Sequence, residues 1–534
     1  MYAFTLTKKK IKTPFSYGIF LGILLVMAFF VRTLWINDIP AGIYPDEAVN
    51  GTDALTAWQT KEFHWFYENN NGREGLFINL IAISTTLFGN TVFGLKFWSI
   101  LSGTLSVLGV YLLASELYAS RRAGLIAGFL MTFSFWAINF SRISFRGILL
   151  PLILIFSFYF IFKGLRTKKY LPFIFSGLIF GLGFHTYIAF RIAPVILIVI
   201  FFALLLSQRR VIQTYWKHAL LFLMSMLITT APILYDFATH PEHLGSRSAS
   251  ISIFSPEVND GNFLGTLTKT LTLSVAKYFV WGDQNWRHNL PPFPILDIIT
   301  AFALAFGVLW SLLRWIHLLH KRIINKERHK EFLILSFLLS WFILMLAPEF
   351  LTNEGIPHAL RSIGTQPPVF ILAMLPFLWL SRQSTIQKSW KSAPFYVIVL
   401  LVLVALLNSF SYFFVWGNSP ESKNAFDETF TQKAHYISQL PKERTVYVLP
   451  NGPGQNMTDG FPVSTDVIEY FNFYRSNLIF LTPETLLERP ATFVLMRDDE
   501  QIFQNIENYF EGISIRESIP FREDQEAFTV IHIK

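Results

Sequence analysis

SYGIFLGILLVMAFFVRTLWINDIPAGIYPDEAVNGTDALTAW, Ser16–Trp58, places an apolar run long enough to cross a bilayer directly before the chain's first acidic cluster. The run, 16–36, carries one charge, Arg32, near its outer end, and the adjacent carboxylates Asp46 and Glu47 follow where lipid should stop. Its length and the lack of a small-residue cleavage site mark an uncleaved anchor rather than a signal peptide.

The composition extends this reading to the whole chain. Hydrophobic residues make up 52% of 534, charged residues 15%, and Phe occurs 56 times, far from the balance of a soluble domain. A polytopic α-helical membrane protein is expected. Apolar runs of spanning length lie near 16–36, 92–117, 122–140, 147–165, 170–188, 191–207, 215–235, 296–318, 331–348, 362–380 and 394–416, about eleven transmembrane helices. The absence of Cys excludes disulfides, thiolate catalysis and Cys-ligated metals.

The net charge of +8 sorts by membrane side and gives no reason to expect nucleic acid. Lys8, Lys9, Lys10 and Lys12, then Arg121 and Arg122, Lys163 to Lys169, Arg209 and Arg210, Lys321 to Lys330, and Arg382, Lys388 and Lys391 fall in alternate connections. By the positive-inside rule these are cytoplasmic, as is the N-terminus. The stretch GLFINLIAISTTLFG, Gly75–Gly89, is short and peppered with Asn, Ser and Thr; as a crossing it would invert every later basic loop. It is read as an interfacial helix, twelve spans being the alternative.

The outer segments are then a first loop, 37–91, with interfacial helices, a large loop, 236–295, and a tail. The domains follow as 1–416, a transmembrane catalytic domain, and 417–534, an extracytoplasmic α/β domain. In the tail RTVYVLP, LIFLT, TFVLM and FTVIHI look like short buried strands, while STDVIEYFNFYR and DDEQIFQNIENYF have helical spacing and start signals. GNSPESKNAFDE reads as the linker. Asn50-Gly51-Thr52 and Asn456-Met457-Thr458 match the glycosylation triplet, a pattern too common to carry a function.

Asp46, Asn50 and Asp53 recur at i, i+4 and i+7, one face of a helix that begins at Pro45. Acids at a helix start are ordinary dipole partners, and Arg32 could simply snorkel to the interface. A charge within a span is nonetheless a functional suspect. VRTLWINDIPAGIYPDEA, Val31–Ala48, resembles the end of the first helix and the start of the first outer loop in polyprenyl-phosphate-sugar-dependent glycosyltransferases of the GT-C superfamily, of the protein O-mannosyltransferase and lipid A aminoarabinose transferase branch. The resemblance carries over Arg32, Asp46 and Glu47 and implies that Asp46 is the catalytic base, with Glu47 orienting Asp46 or the acceptor; the reverse assignment of the two carboxylates is the alternative. It extends in architecture over roughly 10–415, and GLFINLIAISTTLFG takes the place of that family's interfacial helix. Two positions depart from the pattern. NNNGREGLF lacks the prolines usual before the interfacial helix and offers Arg73 as its basic residue; GLKFWSIL has Lys96 where Arg is usual, without the planar fork that grips phosphate.

Other outer-face residues suit such an enzyme independently of the resemblance. SRISFRGI sets Arg142 and Arg146 four apart, and GLGFHTYIAFR sets His185, Tyr187 and Arg191 in a tight connection; lipid-headgroup anchoring is the plain alternative for each alone. FVWGDQNWRHNLPPFPILD packs Asp283, Trp286, Arg287 and His288 into one loop, and EFLTNEGIPHALRSIG brings His358 and Arg361 to another, aromatics and polar forks that suit sugar and phosphate. An aromatic belt with capping residues would look similar. No metal site is expected: a divalent cation on His288 and His358 is conceivable, but no HExxH or paired spacing supports it.

The chemistry implied is transfer of a sugar from a polyprenyl-phosphate carrier to a hydroxyl of a protein, lipid or glycan acceptor. A lipid phosphate leaves as a stable anion, so one carboxylate suffices where glycoside hydrolysis usually needs two. A phosphate-binding GxxxxGK[ST] loop or dinucleotide fingerprint is absent, as expected on an outer face. A transporter or flippase would place ionisable groups near mid-membrane, where these spans are nearly charge-free. A non-catalytic scaffold for the tail would leave the acidic loop unexplained.

Overall fold

The computed structural model describes residues 15–245, 251–386, 392–457, 459–482, 485–510, 512–520 and 528–534. Lys8, Lys9, Lys10, Lys12, Lys388 and Lys391, assigned inside from sequence, and Thr458 of the second triplet lie outside the described residues.

Among the described residues eight helices are long and apolar enough to cross a membrane: Val92–Tyr118, Arg146–Thr167, Ile188–Ser207, Val211–Thr239, Ile298–Ile324, Lys330–Phe350, Ile363–Gln383 and Ala393–Trp416. Tyr17–Thr33 and Tyr170–His185 are shorter apolar helices at the positions of two further expected spans. The expected span 122–140 is broken into Arg121–Phe133 and Phe135–Phe140 by Ser134, whose backbone is extended. Arg32 explains how the break is tolerated. Its guanidinium donates to the Met131 and Thr132 carbonyls, each at 3.5 Å, at the end of the first piece, and to Ala28 O and Ser141 Oγ, each at 3.0 Å. Carbonyls freed at a helix end are costly unless satisfied. Gly103 makes room for this knot, since a Cβ there would lie 2.0 Å from Ser141 Oγ and 2.7 Å from Arg32 Nε. The helix Leu76–Phe88 has 13 residues, about 20 Å of rise against roughly 30 Å of hydrocarbon. It buries Phe77, Ile78, Ile81 and Ala82 and exposes Ile83, Leu87 and Phe88, as an interfacial helix would.

The chain forms two compact units. The first comprises the described residues of Met1–Leu34 with Glu74–Phe77 and Trp98–Trp416; the second comprises Trp35–Arg73, Ile78–Phe97 and Gly417–Lys534. One break between the units falls at Trp416/Gly417, and most of the first outer loop, expected with residues 1–416, groups with the tail. Glycine permits this. A Cβ on Gly51 of the helix Pro45–Thr60 would lie 2.4 Å from the Tyr470 ring, and one on Gly42 would lie 2.3 Å from Phe426 O. The Tyr470 hydroxyl donates to Thr91 O at 3.0 Å, and the Ile43 N–H to Thr431 Oγ1 at 3.0 Å.

The tail carries a mixed five-stranded sheet in the order Leu478–Phe480, Thr445–Leu449, Ala491–Leu495, Phe528–Ile533, Ser514–Ile519. The first three strands are parallel and the last two pairings antiparallel. Four are the strands expected from apolar runs. Both expected helices form, as Thr465–Asn472 and as Glu500–Tyr509 capped by Asp499. Tyr447, Phe493, Leu495, Phe503, Phe510 and Ile531 form the core.

Candidate functional site

Within the second unit the helix Pro45–Thr60 opens with Pro, whose fixed φ and missing N–H suit that position. Glu47 supplies the cap: its Oε1 accepts from the Tyr44 N–H at 3.2 Å. Fully buried, it also faces the equally buried Lys96, whose Nζ stands 3.8 Å from Oε2. Asp46 is half-buried, and only one of its oxygens is held, Oδ1 by the Asn70 amide at 2.6 Å. Its Oδ2 has no hydrogen-bond partner among the described residues.

Asp46, Asn50 and Asp53 do share one face, and that face grips the turn 69–73. Asn70, Asn71 and Gly72 have φ of 50°, 64° and 80°, left-handed conformations that Asn and Gly tolerate. Arg73, the basic residue ahead of the interfacial helix, directs Nη1 to Asn50 at 2.8 Å, Nη2 to the Asp53 carboxylate and Nε to Asn69 O at 3.2 Å. It positions the turn that carries Asn70. Across from Asp53, burial pushes the Asp466 carboxyl well above its ordinary range, with Glu469 and Asp53 adding to the shift; Glu469 is raised by burial, then by Asp459 and Asp53.

In the first unit the site residues fall into two groups. Glu74 accepts from Arg146 Nε at 2.8 Å, and His185 and Arg191 lie within its electrostatic reach. The Arg146 guanidinium lies 5.8 Å from the Tyr187 ring centre, His185 Nε2 meets Thr229 O at 2.8 Å, and Arg191 donates to Leu244 O at 2.7 Å. Two guanidiniums and an aromatic face around one carboxylate leave net positive charge, which suits an anion.

The second group joins two loops. Asp283 Oδ2 accepts from the Ala359 N–H at 2.7 Å and meets His288 Nδ1 at 2.9 Å. Burial opposes the Asp283 charge, yet His288, His358 and the Ala359 N–H together hold its carboxyl below the usual range. His358 is pushed well below its ordinary value, by burial first and then by the neighbouring His288. Its Nδ1 is enclosed, with no hydrogen-bond partner among the described residues. The ligand-type atoms of Asp283, His288 and His358 all lie within 4.8 Å of one another, so these side chains could hold a divalent ion that linear spacing gave no reason to expect. Around them Glu349 accepts from the His358 N–H at 2.9 Å and pairs with buried Lys277, and Trp136 Nε1 donates to Ala359 O at 3.3 Å. Trp286 contributes its carbonyl to Trp416 Nε1 at 2.8 Å, and Arg287 turns back to Asn285 at 3.1 Å. Arg361 closes its own loop through Thr352 at 2.7 Å and Glu354 at 2.5 Å. Arg142 is buried, donates to Val31 O at 3.0 Å and faces the Tyr412 and Phe413 rings. Like Arg32, it is engaged with protein groups.

Residues 76–235 match the family model described as dolichyl-phosphate-mannose-protein mannosyltransferase. The structure aligns with the crystal structure of ArnT from Cupriavidus metallidurans in the apo state over 96% of this chain and 97% of that one, with TM-score 0.55 and 13% identity. The chain shares the fold of that ArnT structure. ArnT from the same organism bound to undecaprenyl phosphate aligns over the same shares with TM-score 0.51 and 12% identity. No curated protein matches the chain by sequence. Three polar residues of this chain escaped sequence reasoning. Asn70 was legible as part of an Asn-Asn-Gly turn but not as a partner of Asp46, Glu74 was hidden beside Arg73, and Lys277 sits in an unremarkable apolar stretch.

Proposed function

We propose that the chain is a membrane glycosyltransferase that moves a sugar from a polyprenyl-phosphate carrier to an acceptor hydroxyl at the extracytoplasmic face. The observation that carries this reading is the state of the two adjacent carboxylates. Glu47 is buried, caps the helix and pairs with Lys96, whereas Asp46 keeps one oxygen uncommitted on a half-buried helix start. Asp46 is the group able to take a proton. The undecaprenyl phosphate bound to the ArnT relative supports a lipid-phosphate donor.

Asp46 accepts the hydroxyl proton as the acceptor oxygen bonds to the anomeric carbon; the bond from that carbon to the phosphate oxygen breaks, and the lipid phosphate departs with the electron pair. In-line displacement inverts the anomeric centre. Asn70 and Arg73 are assigned to positioning Asp46. The test is mass spectrometry of glycans and glycoproteins from a strain lacking the protein. One sugar should be missing from one class of acceptor and return on complementation; an unchanged glycan inventory would overturn the proposal.

A further inference from the structure

A second cluster of metal-ligand side chains lies outside every residue used above. The helix Val211–Thr239 ends at His240, and the 3₁₀ turn Pro241–Leu244 follows immediately. Asp236, His240 and His243 recur at i, i+4 and i+7 across this junction, and their ligand-type atoms all lie within 4.8 Å of one another. His243 is buried and its Nδ1 meets Asp236 Oδ2 at 2.9 Å. The exposed His240 ring stacks on that of His243 with centroids 5.0 Å apart, and its Nδ1 is 3.1 Å from Thr239 Oγ1, which leaves Nε2 as the outward ligand atom.

We infer that Asp236, His240 and His243 form a zinc-type divalent cation site. Two imidazoles and a carboxylate are the donor set such ions favour, at about 2.0–2.2 Å from the metal, so small side-chain rotations close the present separation. The turn is already braced. Arg191 donates to Leu244 O at 2.7 Å and lies over the Phe237 ring at 5.3 Å, which holds the buried His243 beside Asp236. Three protein ligands leave one position open, on the side where His240 is exposed. The ion would pin the end of the helix to the turn that follows it, and the site does not depend on the sugar-transfer reading.

The test is metal stoichiometry of the full-length protein in lipid nanodiscs, dialysed against Zn²⁺ or Co²⁺, with the Co²⁺ absorption spectrum as a second readout. Because His240 is exposed, His240→Ala should leave the fold intact, which melting of the apo protein checks. One bound equivalent and its Co²⁺ band should be lost in His240→Ala and in His243→Ala, and should persist in His358→Ala. Unchanged stoichiometry and spectrum in a folded His240→Ala protein, no metal bound by the parent at micromolar ion, or loss only in His358→Ala would overturn the site.

Discussion

The Asn70 amide donates to Asp46 Oδ1 at 2.6 Å, and this contact joins the acidic helix start to the Asn-rich turn ahead of Arg73. It fixes the carboxylate through one oxygen and leaves the other available. Asp46→Asn preserves size and the capacity to hydrogen-bond but cannot accept a proton. Sugar transfer from polyprenyl phosphate should fall by about 10²–10⁴-fold, the usual loss for a positioned base, with thermal stability unchanged. Parental turnover in a folded Asp46→Asn protein would leave the carboxylate with a capping role only.

Lys96 tests the other half of the pair. Its Nζ is buried 3.8 Å from Glu47 Oε2, so Lys96→Met strands a buried carboxylate. Removing one partner of such a pair typically costs about 3–5 kcal/mol. Denaturant unfolding in a membrane mimetic should show that loss, and Glu47→Gln in the same background should recover part of it. Normal stability with weakened donor binding would instead return Lys96 to the phosphate role expected from its position.

The outer-side assignment of Asp46 rests on the basic connections. Reporter fusions after Ser120 and after Asn418 should report opposite sides of the membrane, the second on the side of the tail. Both on one side would remove the eleven-span arrangement.

What the sequence disclosed followed from local periodicity. The common face of Asp46, Asn50 and Asp53 was legible because helical spacing is a property of consecutive residues, and four of five tail strands were legible as apolar runs. The fifth, Ser514–Ile519, is an edge strand that exposes Arg516 and Glu517, so it carries no apolar run to read. The break at Ser134 was hidden because its compensation comes from Arg32, far away in the chain. Asn70, Glu74 and the joining of Asp283 to His358 are tertiary pairings, which no local pattern encodes.

Asp466 gives the tail a pH dependence of definite sign. Its folded carboxyl lies well above the ordinary range, by burial first and then by Glu469 and Asp53, while the unfolded group titrates near 3.9. The folded state therefore binds the proton more tightly, and stability is lost as pH climbs from about 4 through the raised folded value. Asp466→Asn should flatten that decline and raise the melting temperature at pH 8 more than at pH 5. Equal gains at both pH values would mean that Asp466 is ionised in the fold.

Arg146 separates phosphate binding from headgroup anchoring. Glu74 accepts from its Nε at 2.8 Å, and the Tyr187 ring lies alongside, so the guanidinium is oriented rather than loose. A hydrogen bond to a charged group contributes about 1.5–3 kcal/mol, on the order of 10- to 100-fold in affinity. Arg146→Ala should weaken binding of purified protein to polyprenyl phosphate by that factor, and Arg146→Lys should recover only part, because an ammonium keeps the charge but loses the planar fork. Glu74→Gln should leave a cation in place but release its orientation, which lowers affinity less than the loss of Arg146 itself. If all three variants bound polyprenyl phosphate as the parent does, Arg146 would be an interfacial anchor and the donor phosphate would have to be met elsewhere.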